Sequence, residues 1–221
     1  DHVQNEWHVR GDAKMSVLTE RFPETLNVDG TECPINPGFR TVLRCYEIQG
    51  DKSELSEGEL LKMLLMFYRK QKLFSEGHIN QMFWFFSCGR EKKKKTFPRK
   101  IAGINNKQPF DFNEDADLIY AGFQQQYGID LQKEDMHWWK FMILLENLGS
   151  DTRLSRIMEY RTIDTTSKHL SKEQRKFYQA MQRYYELKLQ HVHEMSEKDR
   201  MIEEALMNGG DVSEILRSDD H

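Results

Sequence analysis

Apolar residues recur at helical spacing through most of the chain, and the strongest stripe lies near the C-terminal end. Its members are three or four residues apart, so they share one face of a helix that begins at Ser171 and reaches about residue 190. This aromatic stripe consists of Phe177, Tyr178, Met181, Tyr184, Tyr185 and Leu189. The pattern predicts a long amphipathic C-terminal helix.

The same periodicity predicts six earlier helices. Their expected ranges are 37 to 49, 57 to 68, 77 to 88, 114 to 127, 132 to 148 and 152 to 159. Asn36 is expected to cap the first and Asn113 the fourth, while Ser56 and Glu59 have the spacing of a capping box before the second. The second helix is apolar on most of its circumference, which predicts a central position in the core. Residues 79–86 could also form a buried strand, but their helical neighbourhood favours a helix.

One short segment has the pattern of extended structure. Two short runs flank Asp29-Gly30, a pair that suits a type I′ turn, and together they predict a β-hairpin at about 25–35. The predicted fold class is therefore mainly α, a helical domain with a short N-terminal β-hairpin and a long C-terminal helix.

Charge runs set the expected domain organisation. Residues 90–100 hold seven cations and one anion, which indicates an exposed basic loop over about 90–109. We expect a single helical domain over 15–190. Residues 1–14 are expected to be an extension or an added segment, and the acidic tail at 191–221 to be mobile or ordered only on a partner.

The composition excludes several classes of protein. The 221 residues include 13 Phe, 8 Tyr and 4 Trp, enough aromatic surface to build a core. The net charge of −4 provides no global attraction to nucleic acid or anionic lipid. No apolar run is long enough to span a membrane, no signal-peptide pattern opens the chain, and Cys33, Cys45 and Cys88 are too few for a disulfide framework. A soluble protein of a reducing cytoplasm is expected.

The motifs of common active sites are incomplete in this sequence. No glycine-rich phosphate loop occurs, and the acidic run that begins at Asp111 lacks the glycine and the final glutamate of a calcium-binding loop. His191 and His193 are two residues apart, so on a helix they point to different faces. We therefore expect no catalytic residue, no metal site, no cofactor and no enzymatic activity.

The basic loop supplies an alternative function. Cations around an aromatic residue, here Phe97, suit a single-stranded nucleic acid. The candidate polyanion contacts are Lys92, Lys93, Lys94, Lys95, Arg99 and Lys100. A solvated loop is the favoured interpretation, because one aromatic ring makes no stacking platform.

Several short sequence motifs, spread over about 15–190, resemble those of one protein family from tailed phages of Gram-positive bacteria. This is the bacteriophage gene-product-fifteen family. They are Met15 to Pro23, Val28 to Gly30, Pro34 to Asn36, Phe39 to Thr41, Trp84 to Gly89, Phe110 to Phe112, Asp115 to Ala121, Gln126 to Leu131, His137 to Phe141, Ile157 with Met158, Tyr160 to Asp164, and Lys172 to Tyr178. The resemblance implies a gene between those of the major tail protein and the tape-measure protein of a long-tailed phage. That position is similar to the one held by tail assembly chaperones. It implies no catalytic or binding residues.

The resemblance and the missing motifs together predict a non-catalytic tail assembly chaperone. Its expected partners are the tape-measure protein and the tail-tube protein, with self-association also open, and nucleic acid is not expected. It would act in the cytoplasm of the infected bacterium and be absent from the mature virion. The aromatic stripe and Trp138 with Trp139 are the candidate partner-binding residues, although the stripe could instead close the core. A nucleic-acid-binding protein and a structural component of the virion are the alternatives.

Overall fold

A computed structural model describes residues 17–50, 55–90, 104–105 and 107–188. These residues form seven helices and one two-stranded antiparallel sheet. In chain order the elements are β1 (Thr25–Val28), β2 (Thr31–Pro34), α1 (Phe39–Gln49), α2 (Glu57–Phe67), α3 (Glu76–Phe86), α4 (Ala116–Tyr127), α5 (Trp138–Glu146), α6 (Arg153–Thr162) and α7 (Lys172–Tyr184). The prediction of a mainly α protein with an N-terminal hairpin is confirmed.

The hairpin has the turn that its sequence predicts. Asp29 and Gly30 both have positive φ, 51° and 84°, and they join strands whose last pair is Val28 with Thr31. Positive φ at both central residues is the mark of a type I′ turn, whose twist matches that of the two strands.

The chain divides into two compact units. Of the described residues, unit 1 takes those up to 90 and those from 119 to 152, and unit 2 takes those from 104 to 118 and from 153 to 188. The single domain predicted over 15–190 spans both units. Residues 1–14, residues 191–221 and most of the basic loop lie outside the described residues.

Local signals locate some helix starts correctly. Ser56 and Glu59 form the predicted capping box of α2, in which the Glu59 N–H donates to Ser56 Oγ over 3.4 Å and the Ser56 N–H donates to Glu59 Oε2 over 3.1 Å. Ser171 and Gln174 make the same arrangement at α7. The predicted helix over 77–88, rather than a strand, is also confirmed as α3.

Two predicted caps are wrong because tertiary contacts use the side chains differently. Asn36 does not cap α1, which begins after Gly38; its side chain donates to the carbonyl of Met66 over 2.7 Å. Asn113 does not cap α4 either. The carboxylate of Asp111 instead accepts the N–H groups of Asn113 and Glu114, and the helix begins at Ala116.

Two helices are shorter than predicted. The helix expected over 132–148 begins only at Trp138, after the side chain of His137 caps it, and the helix expected to reach about 190 ends at Tyr184. The helix expected over 152–159 instead continues to Thr162.

Aromatic side chains fill the core of unit 1. The rings of Phe39 and Phe123 both stack on that of Phe141, with centroids 4.9 and 5.1 Å away. Helix α2 is less central than predicted, since Leu61 and Leu65 remain 47% and 52% exposed while Met63, Leu64 and Phe67 are buried. One side of this helix therefore faces solvent.

Unit 2 is organised around a buried ion pair. The guanidinium of Arg161 on α6 contacts both carboxylate oxygens of Asp115, at 2.6 and 3.0 Å, and both residues are buried. Arg161 also donates through Nε to the carbonyl of Tyr185 over 2.6 Å and through Nη1 to that of Pro109. The side chain of Arg161 thus connects three parts of unit 2, which are the segment before α4, helix α6 itself and the end of α7.

His137 joins the start of α5 to the segment before the hairpin. Its Nδ1 accepts the N–H of Trp139 over 3.0 Å, and its Nε2 lies 3.1 Å from the carbonyl oxygen of Pro23. These two contacts fix a neutral ring with the proton on Nε2, since Nδ1 acts as the acceptor. Burial lowers the pKa of His137, and the hydrogen bond to Pro23 opposes this only in part.

We expect the free energy of unfolding to fall as the pH drops below about 6.5. The unfolded imidazole takes up its proton near that ordinary pKa, whereas folded His137 does so only at lower pH, so acid favours the unfolded state. His137→Asn keeps an oxygen that can cap α5 but does not titrate. Thermal midpoints at pH 7.5 and 5.5 should therefore differ less for the variant than for the wild type. Equal pH dependence in both proteins would contradict this assignment.

Candidate partner-binding surface

The candidate surface is the outward face of α7 in unit 2. No residue of this helix is buried, and Phe177 and Tyr184 are 49% and 77% exposed. Seven residues separate them, which is two helical turns, so both rings lie along one side of the helix. The alternative in which the whole stripe closes a core is wrong for these two members. Leu189 lies outside the described residues.

The inward face of α7 is held mainly by polar groups. The amide of Gln182 donates to the carbonyl of Ile163 over 2.7 Å, and Arg175 donates to that of Ser167 over 3.2 Å. Both bonds lie on the side of the helix away from the rings of Phe177 and Tyr184.

Tyr160 of α6 connects the two faces of α7. Its ring stacks on that of Tyr185 with centroids 6.0 Å apart, and it meets the edge of Phe177 at 6.0 Å and the ring of Tyr178 at 6.3 Å. Tyr160 therefore packs against one side of the aromatic stripe, while the other side of the stripe is exposed to solvent.

Cations run beside the exposed rings. Lys176 and Arg183 each precede one of these rings by a single residue and are themselves exposed. At 100° per residue they form a second line along the helix, next to the line of Phe177 and Tyr184. Lys172, one turn earlier, extends this cationic line.

Trp138 and Trp139 occupy the core of unit 1 instead of a surface. They are 1% and 4% exposed, and their indole N–H groups donate to the carbonyls of Phe86 and Phe85, each over 2.9 Å. These carbonyls belong to the last turn of α3, where backbone acceptors lack helical partners. The prediction that the two tryptophans contact a partner is corrected by this burial, because an indole buried to this extent is unavailable to another protein.

The candidate polyanion contacts belong to the segment that follows Arg90. Lys92, Lys93, Lys94, Lys95, Arg99 and Lys100 lie outside the described residues. Arg90, at the start of the basic loop, forms a bidentate ion pair with Glu146, with N–O distances of 2.5 and 2.7 Å. This contact anchors the beginning of the loop to α5 and raises the pKa of Arg90.

An open groove in unit 1 holds polar residues that the sequence did not suggest. It encloses about 350 Å³, and its lining includes Cys33 of β2 and His78 of α3, with Sγ and Nε2 3.8 Å apart. His78 Nδ1 accepts the N–H of Ser75 over 3.1 Å, and its Nε2, the atom that faces the thiol, also lies 3.1 Å from the side-chain nitrogen of Gln71. The imidazole of His78 therefore contacts Ser75 and Gln71 as well as Cys33.

The thiol itself is poorly suited to act as a nucleophile. Burial raises the pKa of Cys33, with further contributions from Glu32 and Asp29, so little thiolate forms at neutral pH. The role that the geometry supports for His78 is that of a capping residue at the third position of α3. The sequence signal was available as Ser75-x-x-His78, but histidine replaces the usual Glu or Gln of a capping box.

Two kinds of feature are absent from the part of the chain that the structure describes. No group of three or more His, Cys, Asp or Glu side chains there is arranged to hold a metal ion. None of the described helices has the length and apolar character needed to cross a membrane.

Comparisons with known proteins identify a family. The model of the family described as "Bacteriophage Gp15 protein" matches residues 18–187, which include every described helix and strand. No curated protein and no solved structure matches the chain. The family match confirms the resemblance that the short sequence motifs indicated. The chain is therefore a phage protein that belongs to the bacteriophage Gp15 family.

Proposed function

We propose that this protein is a non-catalytic tail assembly chaperone that binds the tape-measure protein during assembly of the tail tube. It would act in the cytoplasm of the infected host and leave before the virion is complete. The observation that carries the proposal is the exposed aromatic face of α7. Membership of a phage family supports the biological setting.

A chaperone for a long helical protein needs apolar surface that a partner can cover and later uncover. Helices that bind through apolar faces are a common form of such recognition. Phe177 and Tyr184 offer this surface at little cost to folding, because both are already exposed in the folded chain. Each large side chain that a partner buries contributes roughly 1.5–3 kcal/mol.

The tail-tube protein is the second proposed partner. A chaperone that releases the tape measure while tube subunits polymerise has to act where those subunits arrive. Release requires an interface of moderate affinity. Two exposed rings on a single short helix suit that requirement better than a large continuous apolar surface does.

We expect Phe177→Ala combined with Tyr184→Ala to reduce co-purification of the tape-measure protein at least tenfold. Two lost aromatic contacts account for such a decrease. The assay is co-expression of the full chain with a tagged tape-measure protein, followed by quantitative mass spectrometry of the captured material. The thermal midpoint should fall only slightly, since Tyr184 is 77% exposed and Phe177 is 49% exposed.

The matched control is Leu61→Ala combined with Leu65→Ala, which removes two exposed apolar side chains from α2 of unit 1. This control should retain the captured tape measure. Equal losses in both double variants, or none in either, would contradict the assignment of the face. Mass spectrometry of purified virions tests the function separately, because a stoichiometric amount of the protein there would favour a structural component.

A further inference from the structure

We infer that the segment received by α7 is an acidic amphipathic helix. Its apolar residues cover Phe177 and Tyr184, and its carboxylates lie along the cationic line of Lys176 and Arg183. This inference rests on the proposed function, because it specifies the chemistry of the partner that the same face would bind.

The spacing of the rings and of the cations on α7 determines where a partner helix needs its apolar and acidic residues. Residues seven apart on a helix are separated by about 10.5 Å along its axis. The rings and the cations of α7 both follow this spacing, and each cation precedes its ring by one residue. A partner helix that packs nearly parallel or antiparallel to α7 matches it with apolar residues seven apart and acidic residues along one adjoining edge.

The charge of this face differs from that of the whole protein. The chain carries a net charge of −4, so acidic partners are repelled at long range and can be attracted only by a local arrangement of cations. Lys172, Lys176 and Arg183 are exposed on α7 and form such an arrangement. Beside rings that a partner would cover, their interactions with carboxylates are less screened than at an open surface.

Two other occupants fit this face less well. A second copy of the chain that docked antiparallel through the same face would bring the two cationic lines together and repel itself, and one that docked parallel would leave both lines without an acidic partner. A nucleic acid would meet Glu173, which lies on the aromatic side of the helix four residues before Phe177 and would repel the phosphates. A protein helix with acidic residues on one edge only avoids both conflicts.

The test uses the full chain and two synthetic helical peptides of roughly 20 residues, a length that can form a helix in water. Both peptides carry leucines on one face. One has glutamates along the adjoining edge, and the other has lysines at the same positions. Fluorescence anisotropy is measured at low and at physiological salt, with Lys176→Glu combined with Arg183→Glu as the charge-reversed variant. Lys62→Glu combined with Lys140→Glu, two exposed helical cations of unit 1, changes the net charge equally and serves as the control.

The wild type should bind the glutamate peptide at least tenfold more tightly than the lysine peptide, and the preference should weaken with salt. The charge-reversed variant should invert this preference, which mere loss of structure could not do. The control variant should retain the preference of the wild type. Equal binding of both peptides, or the same inversion in the control variant, would overturn the inference.

Three further outcomes would assign the face to another occupant and also overturn the inference. One is tighter binding of single-stranded DNA than of the glutamate peptide, lost in the charge-reversed variant. Another is a dimer that Phe177→Ala dissociates. The third is peptide binding that appears only in a chain ending at Gln190, which would mean that residues 191–221 occupy the face.

Different results would contradict the chaperone function and the acidic partner helix. A wild type that captures the tape measure but does not distinguish the peptides keeps the chaperone function and loses the acidic partner. A wild type that distinguishes the peptides but captures no tape measure keeps the chemistry of the face and loses the proposed function.

Discussion

Replacing Arg161 with methionine is expected to lower the free energy of unfolding by about 3–5 kcal/mol. The change leaves the carboxylate of Asp115 buried without its cation and removes the hydrogen bonds to the carbonyls of Tyr185 and Pro109. Urea unfolding followed by circular dichroism measures the loss. Arg161 connects three parts of unit 2, so the variant should also loosen the end of α7.

The matched experiment removes both charges. Asp115→Asn combined with Arg161→Met takes away the unpaired carboxylate, and the double variant should recover part of the stability lost in Arg161→Met. The N–H of Asp111, which donates to Asp115 Oδ2 over 2.9 Å, can still find an oxygen on the asparagine. A double variant less stable than Arg161→Met would contradict the view that the unpaired charge dominates the loss.

Trp138→Ala is expected to destabilise the protein by about 3–5 kcal/mol, the usual range for a fully buried aromatic residue. The indole is 1% exposed, stacks on Phe141 with centroids 5.6 Å apart, and donates to the carbonyl of Phe86. Trp138→Phe should cost less, because it keeps one aromatic ring in the core and loses the N–H donor and part of the buried ring volume. Thermal and urea unfolding report both values.

Trp84→Ala is the control for this prediction. Trp84 is 38% exposed and touches Trp139 with ring centroids 5.6 Å apart. Its replacement should therefore cost clearly less than that of Trp138. If the two alanine variants lost equal stability, the central role of α5 in the core of unit 1 would be wrong.

Local chemistry accounts for the parts of the fold that were predictable from the sequence. The turn at Asp29-Gly30 and the capping box at Ser56 depend on contacts within four residues, so their sequence patterns are sufficient. The stripe on α7 is equally local, because periodicity alone aligns Phe177 with Tyr184.

Contacts over long sequence distances account for what was missed. Asn36 has the character of a cap, but the carbonyl of Met66, 30 residues away, takes its side chain. Asp115 and Arg161 are 46 residues apart, and no periodic pattern relates them. A sequence pattern gives the face of a helix on which a residue lies, but not whether another element covers that face.

The same distinction between local and long-range contacts applies to the candidate partner-binding surface. Trp138 and Trp139 belong to a segment as aromatic as α7. The tryptophans are buried because other parts of unit 1, α3 among them, pack against them. The cationic line of Lys176 and Arg183 was not predicted from the sequence, although helical periodicity places it beside the rings. Its significance depends on which face of α7 the rest of unit 2 leaves open, and this follows from the contacts of Gln182 and Tyr160.

The division of the chain into two units has a consequence for its synthesis on the ribosome. Unit 1 combines residues before 98 with residues 119–152, and the carbonyls of α3 meet their tryptophan donors more than 50 residues later in the chain. The nascent hairpin and first three helices therefore emerge well before α5 can complete their core, and their apolar surface stays open during that interval. Neither unit is a continuous stretch of sequence, so a fragment cut at a single point cannot contain one whole unit without part of the other.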